Sequence, residues 1–142
     1  MSDAAGVIFL IGRVLFVVFF AFAARSHLTS GQMMVGYARS KGAPLADLGG
    51  WPGGVWLAVG SLSIALGIWP DIGALMLALF VIPMAYFIHN FWTLKDAQQR
   101  QTELGNFNRN VTYLGAALAL FATFVALGHN LKFTITGPLL HF

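Results

Sequence analysis

GGVWLAVGSLSIALGIWPDIGALMLALFVIPMAYFIHNF, Gly53 to Phe91, is a nearly unbroken apolar run carrying a single carboxylate, Asp71. Its middle holds Trp69-Pro70-Asp71, so it divides into two spans, about Gly53–Trp69 and about Ile72–Phe91. Each approaches the roughly 17–25 residues that cross a hydrocarbon core. The runs are continuous, not alternating, so they predict helices rather than barrel strands. A bilayer offers no water to the backbone, and the helix satisfies those groups within each segment. With so short a connection the two spans must pair antiparallel, Pro70 stopping the first and Asp71 capping the second.

Working outward, one apolar stretch precedes this pair, about Ala4–Ala24, and one follows it, about Val111–Gly128. The expected fold is all-α: an integral membrane bundle of four transmembrane helices forming a single domain over residues 1–142. Ala21-Phe22-Ala23-Ala24 resembles a signal-peptidase site, but Met1-Ser2-Asp3 has no basic residue, so the segment reads as retained. Ser26–Pro52 is polar and glycine-rich. Within it, Gln32–Lys41 predicts a short amphipathic helix lying at the interface. Thr93–Asn108 is the most polar stretch, expected to extend the third span and turn near Gly105.

Composition agrees. The chain is 58% hydrophobic and 9% charged, with mean hydropathy +0.75, whereas soluble domains carry about 25% charged residues. The formal charge is +3, but the basic residues form no run, so contact with the lipid bilayer explains them better than nucleic acid. There is no cysteine, which excludes disulfides, thiolate metal sites and a catalytic thiol. Lys and Arg counting assigns Arg25, Arg39, Lys41, Lys95 and Arg100 to one side, with Arg109 near its boundary, and Lys132 alone to the other. The two long loops are therefore expected in the cytoplasm and both termini outside.

Arg13, near the middle of the first span, is the most informative residue. A charge at that depth costs about 2.5–3.5 kcal/mol on insertion scales, so it should face the bundle interior. Pro83 cannot bond the carbonyl of Leu79, which offers one partner; Ser61 and Ser63 lie at similar depth. The guanidinium either is satisfied structurally or faces an anionic or carbonyl-bearing ligand such as a quinone. A second group is His89, Asn90, Trp92, Asp96, Gln99 and Arg100, joined by Asn106 and Asn110 from the last span. On a continuing helix, His89, Trp92 and Asp96 share one face, and Asp96 pairs with Arg100. These residues form either a binding site or the interfacial rim of a bundle. His27 and His89 are weak metal or haem candidates; His129 and His141 belong to the other side. Small-residue pairs, Gly60/Gly67, Gly115/Ala119 and Ala122/Ala126, read as bundle packing ahead of a dedicated dimer face.

Arg13, Gly42-Ala43-Pro44, the Gly60/Gly67 spacing, His89-Asn90-Phe91-Trp92 with Asp96 and Gln99, and Phe107 with Arg109-Asn110 together resemble the DoxX family over nearly the whole chain. The resemblance implies a four-helix bacterial inner-membrane protein. Its relatives include a subunit of a thiosulfate:quinone oxidoreductase and a membrane partner of redox-defence enzymes; more distant ones act in membrane-protein trafficking. Many carry a glutamate in the second span where this chain has Leu57, so no buried acid–base pair with Arg13 carries over. The first expectation is a non-catalytic scaffold or anchor for protein partners of a redox or oxidative-stress system, alone or as a homo-oligomer. The alternatives are a quinone-linked oxidoreductase subunit and a small-solute or lipid transporter.

Overall fold

A computed structural model describes residues 1–140; His141 lies outside the described residues. Within these residues five α-helices follow one another: α1 (Asp3–Thr29), α2 (Gly31–Ser40), α3 (Trp51–Leu66), α4 (Pro70–Pro83) and α5 (Ala97–Leu127). Among the described residues there is no strand, only an isolated bridge between Ile68 and Gly137. α3 packs along both α1 and α4, and α5 packs on α4. Rings close the circuit from α5 back to α1, with Phe9 on Phe124 at 5.6 Å and Phe19 on Tyr113 at 4.5 Å between centroids. The core inside holds Phe20, Leu57, Ile64, Leu77 and Phe124.

Among the described residues, three helical stretches are long and apolar enough to cross a membrane: Asp3–Thr29, Pro70–Thr93 and Ala97–Asn130. α3 is shorter, with 16 residues, or about 24 Å at 1.5 Å per residue. The four expected spans thus become three long stretches and one short apolar helix.

The turn between α3 and α4 differs from expectation. Gly67, at φ 67°, ends α3 in the left-handed conformation that glycine adopts without strain. Pro70 is instead the first residue of α4, where its missing N–H costs nothing. Glycine also sets how closely these helices cross. A Cβ on Gly73 would lie 2.5 Å from Ser63 Oγ and 2.8 Å from the Gly60 carbonyl, and one on Gly60 would meet Leu77 at 2.9 Å. On α5, by contrast, Gly115, Ala119, Ala122 and Ala126 all face outward. These pairs do not serve packing within the bundle.

The largest departure lies after α4. Below Pro83 the chain widens into a π turn, Met84–Ile88, and leaves the helix at His89. A short 3-10 turn, Phe91–Thr93, follows. Asp96 then caps α5, its Oδ1 accepting from the Gln99 N–H at 2.8 Å. The polar stretch after Thr93 therefore begins the last helix instead of prolonging the third span, and it passes Gly105 without turning. Its one-sided polar pattern suits a helix of either parentage; the π turn and the Asp96 cap decide which.

Candidate functional site

The residues singled out from sequence divide between the two ends of the bundle. At the loop end, the break after the π turn aims His89 at α5. Its Nδ1 lies 2.7 Å from Glu103 Oε2, and both side chains are only 15% exposed. Asn106 Nδ2 donates to the same oxygen at 3.3 Å, and Arg109 donates to Asn106 Oδ1 at 2.9 Å. Asn110, buried one turn further, donates to the Asn106 carbonyl.

Asn90 Oδ1 is buried beside this network without a partner. Trp92 joins an aromatic cluster with Tyr86, Phe91 and Phe107 at centroid distances of 5.2–5.8 Å. Next to it opens a polar hollow of about 440 Å³, lined by Lys41, Asp96, Gln98, Gln99, Thr102 and Glu103 with Leu94. Arg100 is exposed, and Asp96 spends its carboxylate on the cap rather than on Arg100. The expected shared face of His89, Trp92 and Asp96 does not form, because no helix continues through them.

Glu103 was missed in the sequence reading. Its spacing carried the signal: Glu103, Asn106 and Asn110 stand at i, i+3 and i+7 on one face of α5. Chemically, a carboxylate fixing one imidazole nitrogen orients the ring, and the hollow beside it can take up a small polar group.

Arg13 lies at the other end. It is fully buried, and its side chain points back toward the start of α1, as helical side chains do. Nη2 donates to the Phe133 carbonyl at 2.6 Å. The Leu79 carbonyl expected as its partner is not: Leu79 faces outward, 59% exposed. Nε and Nη1 are buried without a partner. The Phe9 ring lies 5.8 Å from the guanidinium.

Phe133 belongs to a strap, residues 128–140, that folds across this end. Ile135, Thr136 and Gly137 bond to the Leu66 and Gly67 carbonyls, and Thr136 Oγ1 accepts from the Trp69 N–H at 3.0 Å. Asp71 is fully buried, its two carboxylate oxygens accepting the N–H groups of Leu139 at 2.9 Å and Leu140 at 2.8 Å. Asp71 thus clamps the strap instead of capping α4. Lys132 pairs with Asp3.

Ser61 is buried on α3 with its hydroxyl unpartnered. It lines a shallow, mostly apolar groove between α1 and α3. His27 Nδ1 meets the Gly49 carbonyl, a network apart from that of His89. Among the described residues no three His, Asp, Glu or Cys side chains gather as a metal site.

Fold and site together define a helical membrane protein with a polar network at one end and a clamped strap at the other. The family model of DoxX matches residues 8–90, more than half of the chain, and the chain belongs to the DoxX family. The match spans α1 through His89 and Asn90, and Glu103 lies beyond it. No curated protein and no solved structure matches significantly.

Proposed function

We propose that this DoxX-family protein is a non-catalytic membrane scaffold, anchoring partner proteins of a redox or oxidative-stress system through its loop end. The observation that carries the reading is the start of α5. Gln98, Gln99, Arg100, Gln101 and Thr102 are all exposed on a rigid, capped helix, while the buried Arg13 and Asp71 are occupied with the strap. Four crossings in a bacterial inner membrane, with the long loops in the cytoplasm, complete it; α3 crosses by local thinning of the bilayer.

The test is purification from native membranes in mild detergent, with α5 unaltered or carrying Gln98→Ala, Arg100→Ala and Gln101→Ala together. A stoichiometric partner that the triple variant loses, while still folding, supports the scaffold. An active protein without any partner overturns it.

A second reading, a quinone-linked oxidoreductase subunit, has one observation in its favour: the two unpartnered donors of Arg13. These suit a carbonyl oxygen. Titration with a quinone analogue decides it. Binding that Arg13→Gln weakens favours this reading, and binding unaltered in a well-expressed Arg13→Gln protein removes it.

A further inference from the structure

A third hollow belongs to neither polar site. It is a cleft of about 400 Å³ between the loop after α2, the start of α3 and the lower part of α4. That volume falls within the range of small-molecule sites, about 300–1,000 Å³. Of all its lining residues only Trp56 has a polar side chain, and the indole N–H is committed to the Met76 carbonyl at 2.7 Å. The cleft therefore presents no free side-chain donor to a quinone carbonyl. What it can exclude from water is hydrocarbon.

Two backbone features shape it. One wall is Pro83 and the π turn, with Met84, Phe87 and Ile88 lining the cavity. π turns are rare and gather at functional sites. The opposite lip is Leu45, a non-glycine residue at φ 57° whose side chain is 76% exposed. Left-handed backbone at a leucine is a local cost that the surrounding fold must sustain.

Charge sits at the mouth. Arg39 follows Ala38, a residue that lines the cleft. Asp47, between the lining residues Ala46 and Leu48, pairs with Arg39 at the rim, while Lys41 belongs to the polar hollow beside Glu103. Arg39 meets Asp47 through a single nitrogen and is 64% exposed, so its other guanidinium donors stay open to a phosphate oxygen of a head group whose tail is inserted below.

We infer that this cleft holds one acyl chain of a membrane phospholipid, with its phosphate at Arg39. The site is independent of the scaffold reading, since it uses none of the exposed face of α5. A bound chain would brace α2 and the following loop against α4.

The test uses the intact protein in nanodiscs with phosphatidylglycerol bearing a photoreactive group in one acyl chain. Label should concentrate on Leu45, Met84 and Phe87. Label spread evenly over the outward faces of α1 and α5 overturns the site. Ala46→Phe, which fills the cleft, should cut labelling there about tenfold and remove a phospholipid retained in native mass spectra; undiminished labelling or retention counts against the inference. Gly115→Phe, on an open face of α5, serves as the control and should change neither. If Ala46→Phe does not fold, the label map of the unaltered protein still decides. Displacement of the label by excess isoprenoid quinone, but not by unlabelled phosphatidylglycerol, would reject the acyl-chain assignment.

Discussion

Asp71 and Glu103 are the two carboxylates that the fold uses most, and their roles differ. Asp71 holds two backbone N–H groups of the strap. Hydrogen bonds to a charged group contribute about 1.5–3 kcal/mol each. Asp71→Ala should therefore free residues 128–140, read as faster proteolysis there and a lower Tm in detergent; an unchanged cleavage pattern would dismiss the clamp. Glu103 holds His89 and Asn106 through one oxygen. Glu103→Ala should free the His89 ring and lower the Tm in detergent, and Glu103→Gln, which keeps an acceptor oxygen, should lose less. Equal losses would show that these hydrogen bonds are not what matters. Sequence alone exposed Arg13, because an intramembrane charge stands out anywhere. It hid Asp71, since the groups that bind it are backbone amides 68 and 69 residues away, which no side-chain pattern marks.

Among the elements, the α3–α4 crossing is a close one, whereas the face of α5 that carries Gly115 is open. Gly73→Ala would push a methyl into Ser63 and the Gly60 carbonyl, and overpacking of this kind costs about 1–3 kcal/mol. Gly115 has nothing within 4 Å of an added Cβ. Thermal melts of the two alanine variants should separate clearly: a sharp loss for Gly73→Ala and no loss for Gly115→Ala. Equal behaviour would refute the close approach. The apolar elements were legible from composition, because runs without charge admit few structures in lipid. α2 was legible too, from Gln32 to Lys41. The assignment of Thr93–Asn108 was not. A polar helical stretch records its own period but not which neighbour it continues, and that choice rests on the π turn below Pro83 and the cap at Asp96.

For the whole molecule, the Lys and Arg distribution predicts a cytoplasmic loop end, and the absence of cysteine makes this easy to test. Single-cysteine variants at Gln101 and Asn130 should label from opposite sides of intact cells, Asn130→Cys from outside and Gln101→Cys only after the membrane is opened. The reverse pattern would invert the topology. The strap adds a constraint of timing. Arg13 and Phe133 are 120 residues apart, so during synthesis α1 enters the bilayer long before its hydrogen-bond acceptor exists. The guanidinium must be carried through insertion by water or lipid phosphate, at the cost of an unpaired charge. The same delay leaves Asp71 open until Leu139 and Leu140 emerge. Closure of this end therefore follows the insertion of the helices, and a released chain truncated before Phe133 should be inserted but unlocked.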